Sequence, residues 1–489
     1  MEFFGIHSLR KTLAHWIPPG FRKISPVFDP SLAGRSGLVS ESIHRSLKQG
    51  IHLPEHKDET CGLPIRQFPF TPLIILPMVQ HAGVPSQIVV REGQEVERGQ
   101  LLATAGGYLS VPQHAPVSGI VQKIGHVPTI SGKMVQGIYL KTFPFSSQEV
   151  VEGKPIDAET ATRAEILQSI QNAGIVGLGG AAFPTHAKLK IPAGKHCDVV
   201  ILNGIECEPY LTTDHRVMLE QADDIMRGIR YLLKATDARQ VIIAIGGNKP
   251  DAASHLATKI PNGEPVSIRM IPVKYPQGAE KMLVTALLGY EVPSGKLPIE
   301  VGAVVINVAT AAEIGRLLPH GRGIQERVIT VTGPGVKKKG NYLMPIGTPL
   351  RFVLEQVGVE DNSSLVCMGG PMMGVAVSNL DISITKGTSG ILVFTGNADN
   401  PADKIYPCIH CGACVAACPM SLDPAKLGIL AKFAAYDDMA EKYNLMDCFE
   451  CGACAYVCPS HIPLVHYFKL SKNRVKKRSM AKTMHDSSG

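Results

Sequence analysis

The chain has 489 residues, 45% of them apolar and 19% charged, so it can bury large cores and is not globally disordered. Its 48 glycines and 36 prolines favour tight turns over a helical bundle, and its single tryptophan and 6% aromatic content argue against nucleic-acid binding by base stacking. The net charge of +7 lies in one place, since residues 469–482 hold seven basic side chains and no acid, which leaves the rest of the chain balanced.

Residues 1–75 are predicted to form a separate N-terminal segment. Their first residues lack a charged stretch followed by an apolar one, so we expect no secretory signal. No run of about 18 apolar residues occurs, which predicts that no helix of this chain spans a membrane. The twelve cysteines are then expected to lie in a reducing compartment, where metal binding is favoured over disulfides.

Residues 76–145 are predicted to form a β-rich module. Val89–Leu102 and Ala115–Val121 resemble the two halves of a lipoyl-type barrel-sandwich domain, with glycines at the turns between short strands. A swinging-arm carrier of this type needs a lysine at the tip of its central hairpin. The corresponding residues 105–110 contain no lysine, so we predict a structural module.

Residues 150–325 are predicted to form an α/β domain that begins with a glycine loop. An amphipathic helix over 163–173 is followed by Gly174, Gly177, Gly179 and Gly180, and Pro184 is placed to start the next helix, which carries Lys188. A glycine loop that enters a helix presents free N–H groups to an anion such as a phosphate. Such loops also occur without ligands, and no strand precedes the first glycine, as a dinucleotide fingerprint requires.

Several buried-strand patterns follow the glycine loop, at Val199–Leu202, Val241–Ile245, Val266–Val273 and Val304–Val308. Polar residues accompany them: Asn203, Glu206 and Glu208 follow the first strand, Asn307 lies in the last, and Tyr275 precedes a helical segment, Gly278–Leu288, that carries Glu280. Because open α/β sheets bind ligands at the carboxyl ends of their strands, these residues predict a binding site there.

The cysteines carry the strongest signal in the sequence. Residues 397–468 contain two runs of the form C-x-x-C-x-x-C-x-x-x-C-P, a pattern typical of proteins with two iron–sulfur clusters, in which the fourth cysteine of each run ligates the other cluster. We therefore predict two [4Fe–4S] clusters, one held by Cys408, Cys411, Cys414 and Cys458, and the other by Cys448, Cys451, Cys454 and Cys418.

A pair of zinc sites is the alternative, but zinc needs neither the third cysteine step nor the proline that follows each run. Apolar residues at helical spacing between the runs favour a helical ferredoxin domain. The other four cysteines, Cys61, Cys197, Cys207 and Cys367, are scattered and are predicted to be small buried apolar residues. Residues 469–489 are predicted to be a short flexible basic tail, either a solvated end or a contact for an anionic membrane or an acidic partner.

Taken together, G-L-G-G-A-A-F-P-T-H-A-K-L and N-G-I-E-C-E-P-Y resemble the FMN-binding 51-kDa-type subunit of respiratory complex I. The order of the whole chain, with G-I-H-L-P-E-H-K near its start and the doubled cysteine run, resembles the C subunit of the Rnf complex, an ion-translocating ferredoxin:NAD oxidoreductase. This resemblance covers roughly residues 45–465. It also implies that residues 326–396 form a β-grasp module of the SLBB type, within a multidomain α/β chain whose flavin domain is Rossmann-like.

The resemblance implies roles for eleven residues of the α/β domain. Those assigned to FMN are Gly177, Gly179, Gly180, Lys188, Asn203, Glu206 and Asn307, and those assigned to the NADH side are Phe183, Glu208 and Glu280, with Tyr275 nearby. Two departures from the complex I subunit are Leu178, where that family has arginine, and a second cluster. With Leu178, one cationic phosphate contact is missing, and either the backbone or Lys188 supplies it or phosphate binding is weaker. The second cluster makes this chain a short electron wire of its own instead of a single relay.

The function that this resemblance implies is hydride exchange between NAD(H) and non-covalent FMN, and single-electron exchange between FMN and the two clusters. The expected place is peripheral, on the cytoplasmic side of a bacterial inner membrane, with membrane subunits and ferredoxin as partners and no nucleic acid. Two alternatives remain at this point. One is a soluble diaphorase subunit of a hydrogenase or formate dehydrogenase, and the other is an iron–sulfur adaptor without enzymatic activity.

Overall fold

The strands described within residues 39–75 of the predicted N-terminal segment belong to the sheets of the modules that follow it. The computed structural model describes residues 39–40, 49–396 and 404–486, with side chains described for 49–396 and 404–478. Strand β1 (Val39–Ser40) extends the sheet of the α/β domain, β2 (Ile65–Gln67) extends the β-grasp sheet, and β3 (Leu73–Pro77) lies in the barrel-sandwich module. Strands this short gain stability only by pairing with a larger sheet.

The barrel-sandwich module consists of two small sheets that share an apolar core. Its further strands are β4 (Gln87–Ile88), β5 (Glu95–Val96), β6 (Leu101–Thr104), β7 (Gln113–His114), β8 (Gly119–Pro128) and β9 (Met134–Thr142). One sheet has the order β3-β9-β8-β5 and the other β4-β6-β7. Strand β3 pairs with β9 along its whole length, so the sheet of this module includes Leu73–Pro77.

The α/β domain is built on a five-stranded parallel sheet. Its strands are β10 (Val199–Gly204), β11 (Gln240–Gly246), β12 (Val266–Ile271) and β13 (Ala303–Asn307), with β1 at the edge in the order β1-β12-β11-β10-β13. Its helices are α1 (Arg163–Asn172), α2 (Thr185–Leu189), α3 (Thr213–Glu220), α4 (Ala222–Thr236), α5 (Pro250–Lys259), α6 (Glu280–Leu288) and α7 (Val308–Leu317). The strand order reverses between β10 and β13, which is where such sheets bind ligands.

The predicted strands are present, but two of them end earlier than expected. The strand predicted over Val304–Val308 ends at Asn307, because the Asn307 side chain accepts hydrogen bonds from Ala309 N and Thr310 N and so begins α7. The strand predicted over Val266–Val273 ends at Ile271.

The β-grasp module follows α7 and packs a helix on a mixed sheet. It contains β14 (Glu326–Thr332), β15 (Gly340–Pro345), α8 (Leu350–Val357), β16 (Ser363–Met368), β17 (Val375–Val377) and β18 (Gly390–Thr395). With β2 these strands form one sheet in the order β17-β16-β18-β14-β15-β2. The loop 369–374, between β16 and β17, reaches both the α/β domain and the cysteine-rich domain.

The cysteine-rich domain is helical, as predicted. Its helices are α9 (Ala413–Ala417), α10 (Pro424–Lys432), α11 (Tyr436–Glu441), α12 (Ala453–Tyr456) and α13 (Leu464–Asp486). Helices α10 and α11 pack against α13 over a core that includes Leu427, Met439 and Phe468. Among the described helices, α13 included, none is both long and apolar enough to cross a bilayer.

The prediction of a flexible tail from residue 469 is wrong for the part of the tail that is described. Residues 469–486 continue α13 without a break. Lys472 is only 9% exposed, pairs with Glu450 at 3.0 Å and donates to the carbonyl of Cys448. Arg478 contacts Asp437 at 3.2 Å. Lys472 therefore holds the helix against the domain from a buried position, and Arg478 adds an ion pair at the surface.

Candidate flavin and iron–sulfur sites

The glycine loop lies between α1 and α2 and is closed by its own backbone. Gly177 N donates to Phe183 O at 2.8 Å, and Ala182 N donates to Gly177 O at 3.1 Å. Gly180 has a φ of +113°, a conformation that glycine adopts readily and other residues rarely do. Leu178, which replaces the family's arginine, is buried, and its N–H donates to the Thr310 hydroxyl at 2.9 Å. The loop is thereby fixed over the first turn of α7.

Gly179 faces Asn307 at the amino end of α7. A Cβ added to Gly179 would lie 3.4 Å from the Asn307 side chain, and one added to Gly180 would meet no atom within 4 Å. The loop therefore has an open side, and its small residues leave room for a ligand. Helix α7 has ten residues, so its amino end carries the partial positive charge that favours a phosphate.

A chain of hydrogen bonds joins the strand ends on either side of the switch point. Asn307 Nδ2 donates to Asp214 at 2.7 Å, and Glu206 accepts from the backbone N–H of Asp214 at 2.7 Å. Burial raises the pKa of Asp214 to about 7, and the neighbouring Glu206 adds to the rise. Asn203 donates to Gly278 O at 2.8 Å, which connects the end of β10 to the segment before α6.

Two buried lysines hold the segment that follows β10. Lys57, in the G-I-H-L-P-E-H-K stretch, donates to the carbonyls of Glu206 and Glu208 at 3.0 and 2.9 Å. Lys249 donates to Ile205 O at 2.8 Å, and burial lowers its pKa to about 8. The sequence did not predict Lys57, Asp214 and Lys249 as parts of this site. Of the three, only Lys57 lies in a motif that was identified in the sequence, the G-I-H-L-P-E-H-K stretch.

The acids assigned to the NADH side lie in different surroundings. Glu280 pairs with Lys188 at 2.9 Å, and both side chains are about a third exposed, at 35% and 33%. Phe183 is 37% exposed on the outer part of the glycine loop. Glu208 is instead mostly buried and accepts from Met372 N and Met373 N at 3.0 and 2.9 Å. Burial raises its pKa, and its carboxylate connects the α/β domain to the β-grasp module.

Tyr275 connects the α/β domain to the cysteine-rich domain. Its side chain is 2% exposed, and its hydroxyl donates to the carbonyl of Cys451 at 2.5 Å. Its backbone exchanges two 2.9 Å hydrogen bonds with Ile51. Around this contact, Ile51, Ala417, Cys451 and Ala453 form one apolar cluster with Tyr275. Glu206 and Tyr275 also line a cavity at the ends of β10, β11 and β12, together with His52 and Lys57.

The first predicted set of cysteines surrounds a single cavity. Cys408, Cys411, Cys414 and Cys458 all line it, with the α10 residues Ala425, Gly428, Ile429 and Lys432. This grouping brings the last cysteine of the second run to the first three of the first run, as the sequence predicted. Cys411 is exposed, so one side of this site reaches the surface.

The second set lies deeper, on the side of Tyr275. Cys418, Cys451 and Cys454 are buried, and burial together with the Cys448 and Cys418 thiols raises the pKa of Cys451 to about 12. Cys418 therefore lies with the second run. Within the described residues, no three His, Cys, Asp or Glu side chains lie close enough together to hold a single metal ion.

The two runs have the same backbone conformation. His410 and Glu450 have positive φ values, as do Gly412 and Gly452 and, after the fourth cysteine of each run, Ser421 and His461. Each member of a pair lies 40 residues from the other, so the two loops repeat each other position by position. Eight thiolates on two equivalent loops form a donor set suited to two [4Fe–4S] clusters. The open glycine loop over the α7 amino end likewise fits the phosphate of FMN.

Comparison with known families assigns a domain to each module. The Nuo51 FMN-binding domain matches residues 170–316, the RnfC barrel sandwich hybrid domain matches 45–142, the SLBB domain matches 328–376, and the 4Fe-4S dicluster domain matches 407–462. These matches confirm the predicted order of modules.

Three bacterial relatives are similar to this protein over most of its length. The C subunit of the proton-translocating ferredoxin:NAD(+) oxidoreductase complex of Clostridium ljungdahlii is 42% identical over 88% of this chain and 94% of its own length. The C subunit of the Na(+)-translocating complex of Acetobacterium woodii is 39% identical over 83% of this chain and 91% of its own length. The C subunit of the ion-translocating oxidoreductase complex of Haemophilus influenzae is 40% identical over 88% of this chain and 64% of its own length.

Proposed function

The chain belongs to the family of C subunits of ion-translocating ferredoxin:NAD(+) oxidoreductase complexes, and on this premise we propose that it exchanges electrons between NAD(H) and two [4Fe–4S] clusters through FMN. FMN supplies the chemistry that converts a two-electron hydride exchange into one-electron exchanges. The residues of the chain bind and orient the groups, and hydride exchange needs no acid–base side chain.

The FMN phosphate is assigned to the glycine loop and the first turn of α7. The open side at Gly179 and Gly180, the N-cap Asn307 and the helix dipole together offer N–H donors and positive potential. Lys188 is the cation that the sequence predicts for this role, although its ion pair with Glu280 shares its charge. Phe183 and Glu280 are exposed enough to contact a nicotinamide dinucleotide. Glu208 instead accepts hydrogen bonds from the 369–374 loop and holds that loop against the α/β domain.

The observation that carries this proposal is the direct contact between Tyr275 and Cys451. It joins a segment of the flavin domain to a ligand of the second cysteine set, in the interior of the molecule. The first set, with its exposed Cys411, lies at the surface, where a partner can approach. One chain therefore contains both a two-electron site and an outlet for single electrons.

We place the protein at the cytoplasmic face of a membrane complex, with the other subunits of that complex as partners. NADH and ferredoxin are the redox substrates of the assembly, as the names of the relatives state for their own complexes. The soluble diaphorase alternative is not favoured, since the barrel-sandwich module that precedes the flavin domain matches the RnfC type. The adaptor alternative is also not favoured, because the flavin domain matches a known FMN-binding family.

The test is the variant Gly179→Val. The fold tolerates a Cβ at this position, because the nearest side-chain atom is 3.4 Å away, but a branched side chain fills the open side of the loop. We expect loss of FMN, with iron retained at about eight per chain. Gly62→Val, at an exposed glycine with no atom within 4 Å of its Cβ, is the matched control and should keep both. Retained FMN in Gly179→Val would remove the loop from the site.

A further inference from the structure

Several large apolar side chains on and beside the segments that line the cavity of the first cysteine set are exposed. Four of them, Ile405, Tyr406, Ile409 and Phe433, are 53%, 52%, 66% and 81% exposed. Ile409 lines the cavity of the first cysteine set, and Phe433 follows Lys432, which also lines it. Tyr406 N donates to the carbonyl of Ser460, another residue of the cavity wall. Ile409 and Phe433 therefore lie at or next to the wall of this cavity, and Ile405 and Tyr406 lie on the segment that leads into Cys408.

Lysines border this apolar surface, and none of them is neutralised. Lys404, Lys426 and Lys432 are exposed and make no ion pair within the described residues. Asp423 is the single acid between residues 404 and 436, and its carboxylate accepts from Lys426 N as the N-cap of α10. We call the four apolar residues and three lysines the Cys411 face. Its charge is positive, and its centre is apolar.

From these features we infer that the Cys411 face docks an acidic protein, or an acidic domain of a partner subunit, that carries a one-electron iron–sulfur centre. The inference rests on the proposed function, since it names the kind of partner that the outlet receives. An apolar patch with a charged rim is typical of protein interfaces, and charge complementarity speeds their association. Encounters between electron-transfer proteins bury small areas, so a face of a few side chains is sufficient for them.

A lipid surface could also contact lysines and a phenylalanine, but it offers no electron acceptor to the exposed Cys411 side. The position of the face at a cysteine set, rather than on a remote helix, is what favours a redox protein. Binding to a membrane is therefore treated as a competing outcome of the test.

The experiment measures electron transfer from a reduced, acidic ferredoxin with two [4Fe–4S] clusters to the holo-protein by stopped-flow absorbance. Two variants alter the face: Lys404→Glu with Lys426→Glu, and Phe433→Asp. The control, Lys133→Glu with Lys338→Glu, reverses two exposed lysines on other modules. At low salt we expect the second-order rate constant to fall at least tenfold in both face variants and to stay unchanged in the control.

High salt separates the two contributions. The defect of the double lysine variant should shrink in 0.5 M salt, since screening removes the attraction that the variant lost, whereas the Phe433→Asp defect should persist. NADH oxidation with a small neutral dye should be unaffected in the face variants. If the unaltered protein lacks this activity, the proposed function is contradicted, and not the docking inference. Rate constants with ferredoxin that match the control would overturn the docking inference. It would also be overturned if the variants lost binding to anionic phosphatidylserine vesicles but kept the ferredoxin rate.

Discussion

Replacing Tyr275 by phenylalanine should loosen the contact between the flavin domain and the second cysteine set. The hydroxyl of Tyr275 donates a 2.5 Å hydrogen bond to Cys451 O, and the tyrosine is 2% exposed. Loss of a buried donor leaves a buried carbonyl without its partner, which costs about 1–3 kcal/mol. A cost of about 1–3 kcal/mol corresponds to about 5–150-fold more frequent opening of the contact.

Hydrogen exchange of the holo-protein, followed by mass spectrometry of the peptide over residues 448–454, measures that opening. The matched control is Tyr231→Phe, because Tyr231 is 4% exposed and donates a hydrogen bond of the same length, 2.5 Å, to Ile156 O inside the flavin domain. We expect faster exchange at 448–454 in Tyr275→Phe alone. If exchange there is unchanged, or rises equally in both variants, the hydroxyl does not hold the two domains together.

Three further predictions concern the clusters, the flavin and α13. Cys418→Ala should lower iron from about eight to about four per chain and remove the cluster of the second run, while Cys458→Ala should remove the other cluster. Iron analysis and electron paramagnetic resonance measure both effects. Loss of the same cluster in both variants would refute the crossed assignment. FMN should be released by acid precipitation because we predict that it is not covalently bound, and flavin that stays in the pellet would contradict this. Replacing the exposed Arg474, Lys476 and Lys477 by glutamine should weaken retention of the protein on anionic membranes at low salt, because each charge is worth about 1 kcal/mol near such a surface. If retention is unchanged across a salt series, these residues are only solvated charges.

Local patterns in the sequence were sufficient to predict the parts of the site that depend on neighbouring residues. The cysteine spacing predicted that Cys458 would join the first run, and the structure places it in the same cavity. The glycine loop and the strand ends were also predicted from short stretches. The boundary at Asn307 was missed by one residue, because a side chain that caps a helix looks, in sequence, like the last residue of a strand.

Contacts between distant segments could not be predicted in this way. Tyr275 and Cys451 are 176 residues apart, and no periodicity relates them. Lys57 donates a hydrogen bond to Glu208 O, which lies 151 residues later in the chain. The sequence therefore indicated no physical role for the N-terminal motif that ends at Lys57.

The helix at the C-terminal end was missed for a different reason. Its buried face contains Phe468, Ser471, Lys472 and Val475, which have helical spacing, but two of the four are polar, so hydropathy alone did not reveal it. Lys472 is buried there because the Cys448 carbonyl and Glu450 satisfy its ammonium group.

The central claim is that one chain connects NAD(H) to both clusters through bound FMN. The most direct measurement is to reduce the anaerobic holo-protein, remove the excess reductant, add NAD+ and follow the clusters by electron paramagnetic resonance and NADH by its absorbance. We predict that NAD+ reoxidises the clusters and that one NADH forms for every two electrons removed, whereas in Gly179→Val the clusters stay reduced. Reoxidation of the clusters in that flavin-free variant, or its absence in the unaltered protein, would contradict the claim.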